Sequence, residues 1–144
     1  MAKLLDLYAL IDESVSKLDE LLAARSADEV LGDYYLRSAV LHILQVAVQA
    51  LVDVGSHPLS EVGARPPSRY GEIPALLEGL GALSGEDASL MRRMIGSRNV
   101  VVRGHSRVSL RIVGRILAER RYRDVRSLAG RVLSYARRVG ADCG

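Results

Sequence analysis

Apolar residues recur along this chain at helical spacing. Over residues 3–24 the steps alternate between four and three, which places one stripe on a single helix face: Leu4, Tyr8, Ile11, Val15, Leu18 and Leu22. The segment Ser26–Glu29 (SADE) has the form of a capping box, which predicts the start of a second helix. That helix is predicted to run to about His57, where Gly55 and Pro58 end it. Its two apolar rows predict a central position in the fold.

The second half of the chain continues the helical pattern. Further helices are predicted over residues 70–80, 84–102, 108–119 and 124–139. Ser84 caps one of them, and Gly104 marks a break between the next two. No strand-like alternation and no internal repeat interrupts this pattern. We therefore predict one all-α domain over residues 1–144, an up-and-down bundle of four main helices and shorter ones.

The composition limits the chemistry that such a bundle can perform. The chain has no Phe and no Trp, so it lacks the usual platforms on which single-stranded nucleic acid stacks. We expect any RNA binding to depend on charge and hydrogen bonds. Cys143 is the single cysteine, and no Cys/His group has zinc spacing, so we predict neither a disulfide, a metal site nor a cofactor.

The N-terminal segment carries acids within its apolar pattern and lacks a small-residue cleavage site. We therefore expect no signal peptide. No stretch approaches 18 uncharged apolar residues, which predicts that nothing spans a membrane. The expected location is the cytoplasm.

Charge is distributed unevenly along the chain. Residues 1–91 carry a net charge of −8, whereas residues 92–144 hold 14 arginines and three acids, a net charge of +11. A basic block on a compact fold is typical of proteins that bind a polyanion. Pairing of acidic and basic helices within the bundle, or across a dimer, would produce the same asymmetry, so charge alone leaves both interpretations open.

One segment combines three groups capable of chemistry. Arg98 falls on the apolar stripe of its predicted helix, where an unpaired charge would be costly. Asn99, the single asparagine of the chain, follows it, and His105 comes seven residues after Arg98, two helical turns along the same face. An imidazole can transfer protons near neutral pH, and a guanidinium can hold the charge of a phosphate. The group therefore suits metal-free cleavage of an RNA phosphodiester, and a symmetric dimer would supply the second histidine that two proton transfers favour.

The segment RNVVVRGH, Arg98–His105, resembles the motif of the HEPN superfamily, whose ribonucleases share Arg, a polar residue and a His after four to six residues. The chain more specifically resembles the HepT-like toxins of toxin–antitoxin pairs over roughly residues 30–118. The similar segments are RSAVLHILQVAVQALVDVGSH (37–57), LMRRMIGSRNVVV (90–102) and VSLRIVGRIL (108–117). The resemblance implies a HEPN-type homodimer with the motif at the dimer cleft, RNA cleavage as the toxic activity, and an MntA-type nucleotidyltransferase antitoxin as partner.

The motif also departs from the usual HepT form, which is Arg-Asn, three residues, His, one residue, Tyr. Aligned without a gap, Arg103 takes the histidine position and His105 the tyrosine position. Either His105 acts through the longer spacing or the catalytic histidine is lost. In this family the antitoxin adds AMP to that tyrosine, but Arg107 stands two residues after His105, so AMP modification is not expected here.

Our leading hypothesis assigns phosphate stabilisation to Arg98, orientation of the site to Asn99 and acid–base chemistry to His105. Basic side chains that would guide RNA are Arg92, Arg93, Arg103 and Arg107. The alternative is a catalytically inactive HEPN module that binds a nucleotide or docks the nucleotidyltransferase, and a third hypothesis is a scaffolding dimer.

Several other polar residues receive structural interpretations. We expect His42 to be a hydrogen-bonded core histidine, and Asp53 and His57 to form a structural pair in preference to half a metal site. Arg37 is expected to pair with an acid of the core or of the dimer interface, with phosphate binding as the less favoured alternative. The run Arg120–Arg123 is expected to be a solvated turn, and Tyr34 and Tyr35 are expected to be packing residues.

Overall fold

The fold was obtained as a computed structural model that describes residues 2–63, 69–102 and 106–140. All regular secondary structure in these ranges is helical, as the sequence predicts. The helices are α1 (Ala2–Ala24), α2 (Ala27–Gly32), α3 (Tyr34–Glu61), α4 (Ile73–Gly79), α5 (Gly85–Gly96), α6 (Arg98–Val102), α7 (Arg107–Ala118) and α8 (Arg123–Val139), with a 3-10 turn at Tyr70–Glu72 before α4.

Short polar side chains begin several helices by accepting hydrogen bonds from otherwise unpaired backbone N–H groups. Ser26 and Glu29 form the predicted capping box at the start of α2. The Ser84 hydroxyl accepts from the Asp87 backbone N–H at 3.1 Å. The Ser106 hydroxyl accepts in the same way from Ser109, which places the start of α7 directly after the motif segment.

The predicted second helix corresponds to two helices in the structure, and the second of these extends beyond the predicted end. It is divided at Asp33, whose extended backbone ends α2 and whose carboxylate accepts from the Leu36 backbone N–H at 3.0 Å to begin α3. Gly55 and Pro58 do not end α3, which continues through Glu61. Gly55 instead lies under α4, because an added Cβ would approach Ile73 Cγ2 to 2.8 Å.

Helix α3 is central, as its two apolar rows predict. Both rows are buried over most of their length: Val40, Leu41, Leu44, Ala47, Val48, Ala50, Leu51 and Val54. By length and composition alone α3 could cross a membrane, since its most apolar window has a mean hydropathy of 1.5. However, 56% of that window is buried inside the bundle, so core packing accounts for its apolar character.

Helices α1 and α8 pack on α3 and bury the predicted stripes. In α1 the stripe from Leu4 to Leu22 is buried except for the partly exposed Tyr8, and in α8 Val139 is exposed while Val125, Leu128, Val132 and Tyr135 are buried. The expectation that Arg120–Arg123 forms a solvated turn is wrong for Tyr122, whose side chain is 2% exposed. Aromatic burial and a hydrogen bond anchor this turn to α1.

The Tyr122 hydroxyl donates to Asp19 Oδ1, and Arg123 Nε donates to the same oxygen at 2.9 Å. Burial and the hydrogen bond to Asp19 raise the pKa of Tyr122 to about 12. Burial favours the neutral form of Asp19, but the hydrogen bonds from Tyr122 and Arg123 outweigh it and hold the pKa of this carboxyl below its ordinary value.

Some arginines of the basic C-terminal part form ion pairs with acids of the N-terminal part inside the bundle. Arg126 pairs with Asp12 of α1 at 3.0 Å, and Arg131 pairs with Asp87 of α5 at 3.0 Å. Within the described ranges, the arginines of α5–α7 have no acidic partner within salt-bridge distance: Arg92, Arg93, Arg98, Arg107, Arg111 and Arg115. The two interpretations of the charge pattern therefore apply to different helices. Arginines of α8 pair with acids inside the bundle, whereas the arginines of α5–α7 form a basic surface without acidic partners in the described part of the chain.

Candidate functional site beside Arg98

The predicted stripe that contains Arg98 does not run along one straight helix. Met91 and Ile95 are buried, as predicted, but α5 ends at Gly96 and the chain turns at Ser97. After this turn Val101 is buried, and Arg98, the first residue of α6, is only partly buried. The turn therefore brings the guanidinium out of the core and lets it reach solvent.

Arg98 lines a pocket of about 280 Å³ with four residues of α3: His42, Gln45, Val46 and Gln49. The chain contains two glutamines, and both are in this pocket. His42 is exposed, so its predicted role as a core histidine is wrong. The pocket thus combines a guanidinium, an imidazole and two carboxamides around one aliphatic side chain.

These α3 residues belong to a polar stripe along an otherwise apolar helix. His42, Gln45, Gln49 and Asp53 follow one another at steps of three and four, which keeps them on one face. Gln49 Nε2 donates to Asp53 Oδ1 at 3.2 Å, so the carboxylate fixes the orientation of the amide. In the sequence this stripe was detectable as a polar row between the two apolar rows, and as the place where a chain poor in amides keeps two of them.

Tyr70, in the 3-10 turn before α4, contacts the Arg98 guanidinium. The guanidinium carbon lies 5.1 Å from the centre of the Tyr70 ring, within the range of a cation–π contact. The ring is 46% exposed, so this contact is at the protein surface. No local sequence signal marks Tyr70 as part of the site, because the contact joins the 3-10 turn to α6, which lie far apart in the chain.

Other predicted site residues are placed as follows. Asn99 is exposed next to Arg98 on α6. His105 and Arg103 lie outside the described residues, so their predicted roles stay predictions. Arg92 and Arg107 are exposed on α5 and α7.

Arg93 lines a different groove, of about 350 Å³, between α5 and α7. Arg115 and Arg121 line this groove too, together with apolar residues and the acids Glu119 and Asp124. The structure therefore does not bring Arg93 into the Arg98 pocket. Both sites nevertheless belong to the α5–α7 region, where the unpaired arginines are found.

The residues at the far end of α3 do not form a recognisable metal centre. Asp53 accepts from Gln49, and His57 Nε2 lies 3.8 Å from a Glu61 carboxylate oxygen. Among the residues that the structure describes, no group of three His, Cys, Asp or Glu side chains is arranged to hold a metal ion.

One expectation for the start of α3 needs correction. Tyr34 and Tyr35 are 63% and 82% exposed, so within this chain they are not packing residues, although their rings meet edge to face at 5.8 Å. Arg37 Nη1 donates to the Leu31 carbonyl at 2.9 Å, and its guanidinium lies over the Tyr34 ring. That carbonyl contact ties the end of α2 to the start of α3.

Solved structures of toxin–antitoxin proteins share this fold. The chain superposes on a chain of a toxin–antitoxin structure with AMP-PNP, with a TM-score of 0.80 and 17% identity over 92% of this chain and 98% of that one. It also superposes on a tri-AMPylated Shewanella oneidensis HEPN toxin in complex with MNT antitoxin, with a TM-score of 0.81 and 16% identity over 93% and 98% of the two chains. A mutant of the MntA-HpeT toxin–antitoxin pair matches equally well, with a TM-score of 0.81, 16% identity and 93% and 99% coverage. The fold is therefore the all-α fold of HEPN toxins.

The family follows from the sequence. The profile of the family described as ribonuclease HepT-like matches residues 11–132, most of the chain. This protein belongs to the ribonuclease HepT-like family, which confirms the resemblance seen in the sequence. No curated protein sequence matches this chain.

Proposed function

We propose that this protein is the toxin of a toxin–antitoxin pair and acts as a metal-independent endoribonuclease. Its active site would combine Arg98, Asn99 and His105. The observation that carries the proposal is the position of Arg98: this half-buried guanidinium has no acidic partner among the described residues and lines an open pocket together with His42, Gln45, Val46 and Gln49. A cation held in this way is suited to bind an anionic group from outside the chain.

The proposed reaction is an internal transesterification of RNA. The 2′-oxygen attacks phosphorus, the new O2′–P bond forms, and the bond from phosphorus to the 5′-oxygen breaks. His105 would accept the 2′-hydroxyl proton, and a second imidazole would give a proton to the departing 5′-oxygen. Arg98 would stabilise the charge that develops on the non-bridging phosphate oxygens.

The requirement for a second imidazole supports a homodimer in which each copy contributes its own His105. The unpaired arginines of α5–α7 would attract RNA toward such a cleft. The structural neighbours contain an MNT or MntA antitoxin, and from this we propose a nucleotidyltransferase antitoxin as the partner of this chain. Such a pair would act in the cytoplasm.

Cleavage of single-stranded RNA by purified variants tests the proposal. Arg98→Ala and His105→Ala should each reduce the rate about 100-fold or more, the size expected for loss of a charge stabiliser or a proton-transfer group. Arg25→Ala removes the same charge from an exposed position at the end of α1 and should leave the rate unchanged. Circular dichroism should show that all three variants remain helical.

Two results would contradict the proposal. One is wild-type protein that leaves RNA intact at micromolar concentration while binding a nucleotidyltransferase tightly, which would favour the inactive docking module. The other is unchanged cleavage by Arg98→Ala. A His105→Ala variant that retains full activity would exclude His105 and point to Arg103, which occupies the usual histidine position.

A further inference from the structure

We propose that the α3 side of the Arg98 pocket is a nucleobase subsite, which selects the base beside the scissile phosphate. Its members are His42, Gln45, Val46 and Gln49. This inference rests on the proposed function, because it takes the ligand to be single-stranded RNA whose phosphate is held by Arg98. It adds a group of residues that would determine where the enzyme cuts.

The size of the pocket suits a small ligand such as one nucleobase. Its volume of about 280 Å³ is just below the usual range for sites that hold drug-sized molecules. Val46 supplies an aliphatic surface, and the exposed His42 supplies a planar ring on which a base can stack. The histidine partly compensates for the absence of Phe and Trp.

The two glutamines supply the hydrogen-bonding groups. A carboxamide has both a donor and an acceptor, and glutamine pairs in a bidentate manner with the amino group and ring nitrogen of adenine. Gln49 already gives one N–H to Asp53, which leaves its carbonyl oxygen as an acceptor in a fixed amide plane. Within the described chain the Gln45 amide makes no hydrogen bond to the protein, so it is available to a ligand. Adenine is therefore the best match.

The composition of the pocket favours RNA over a protein ligand. Hot spots of protein interfaces are enriched in Trp, Tyr and Arg within fully desolvated pockets, and of these types the lining of this pocket holds Arg98, while His42 and Gln45 are exposed. This pocket contains a single aliphatic residue, Val46, among four polar side chains. A guanidinium beside two carboxamides instead matches a phosphate joined to a base.

Equilibrium binding of uncleavable RNA tests the subsite independently of catalysis. The probes are short 2′-O-methylated oligonucleotides of A, C, G or U, which lack the attacking hydroxyl. Wild-type protein should bind the A oligomer most tightly, and the Gln45→Ala, Gln49→Ala double variant should lose about tenfold in affinity for that oligomer, consistent with one bidentate base contact. The variant should bind the other three oligomers nearly as wild type does.

Controls separate base recognition from damage to the fold. Ser60→Ala, on the same helix but outside the pocket, should bind as wild type does. Alanine favours helix, so the double variant is expected to fold. His42→Ala should weaken all four oligomers by loss of stacking, whereas Arg98→Ala should weaken them by loss of the phosphate contact and reduce the salt dependence of binding.

The outcomes distinguish the subsite from the nuclease proposal. If base preference is present and lost in the glutamine variant while the protein does not cleave RNA, the subsite stands and the nuclease proposal fails. If the protein cleaves RNA but wild type and variant share the same base preference, or have none, the subsite is wrong. Loss of nucleotidyltransferase binding in the glutamine variant without a change in RNA binding would identify the pocket as a protein interface and also overturn the inference.

Discussion

The Arg98 guanidinium carbon lies 5.1 Å from the centre of the Tyr70 ring. The ring contacts the cation from the 3-10 turn, whereas His42, Gln45 and Gln49 of α3 line the pocket that the same cation borders. A guanidinium held over an aromatic face loses part of its rotational freedom. Tyr70 is therefore a positioning residue for the group that we propose binds phosphate.

Removal of the Tyr70 ring should weaken this positioning. Surface cation–π contacts contribute about 0.5–1 kcal/mol, so Tyr70→Ala should lower RNA cleavage about two- to fivefold. Tyr70→Phe keeps the ring face and should restore the wild-type rate. Initial rates at saturating and limiting RNA measure the effect. A Phe variant as impaired as the Ala variant would show that the hydroxyl matters and the cation–π contact does not.

The unpaired arginines of α5–α7 should determine the salt dependence of RNA binding. Each phosphate contact with single-stranded nucleic acid adds about 0.7 to the slope of log affinity against log salt concentration. Arg92→Gln and Arg107→Gln should each reduce the slope by up to this amount. Arg126→Gln loses the same charge, but Arg126 already pairs with Asp12. RNA binding by this variant should therefore show the same salt slope as wild type. Equal slopes for wild type and the three variants would contradict an RNA-binding role for this surface.

The contact between Tyr122 and Asp19 should contribute measurably to stability. Tyr122→Phe removes the hydroxyl that donates to the Asp19 carboxylate, while Arg123 still pairs with that carboxylate. A hydrogen bond to a charged group contributes about 1.5–3 kcal/mol, and we expect a loss near the lower value. Urea denaturation measures the free energy of unfolding. Tyr35→Phe, at a side chain 82% exposed, is the matched control and should change nothing.

The same pair predicts a pH dependence of stability. The pKa of Tyr122 is raised to about 12 from an ordinary value of 10.0, so its contribution is complete below pH 10 and is lost as pH rises toward 12. The pKa of Asp19 is lowered from 3.8, so its contribution is complete above that value and is lost as pH falls through the lowered pKa. The difference in unfolding free energy between wild type and Tyr122→Phe should therefore shrink at both extremes. A difference that stays constant from pH 7 to pH 12 would contradict the assignment.

Gly55 should be a required small residue at the contact between α3 and α4. A Cβ there would lie 2.8 Å from Ile73 Cγ2 and 3.0 Å from Met91 Cε, so neighbouring side chains would have to move. Gly55→Ala should cost about 1–3 kcal/mol, the usual cost of overpacking a core. Gly96→Ala, where a Cβ meets nothing within 4 Å, should instead stabilise the protein by up to about 1 kcal/mol. Thermal unfolding of both variants would show the opposite signs, and a stabilised Gly55→Ala would contradict the packing argument.

The positions of most helices followed from the sequence, because apolar spacing and capping residues act locally. Ser26, Ser84 and the stripe from Leu4 to Leu22 are examples. The errors arose where tertiary packing overrides a local signal. Gly55 and Pro58 resemble a helix end, yet α3 continues, because the small Gly55 allows α4 to pack closely against it.

The sequence by itself determined the helical class and the family, since these depend on apolar periodicity and on a resemblance that extends over roughly residues 30–118. It did not place His42 or Tyr122 correctly, because a single helix pattern does not say which face is covered by a distant helix. The tertiary structure alone brought His42, Gln45 and Gln49 together with Arg98, and placed Tyr70 over the same cation. Such contacts join residues far apart in the chain, and they form because burial of the apolar faces of α3 leaves its polar stripe on the surface beside α6.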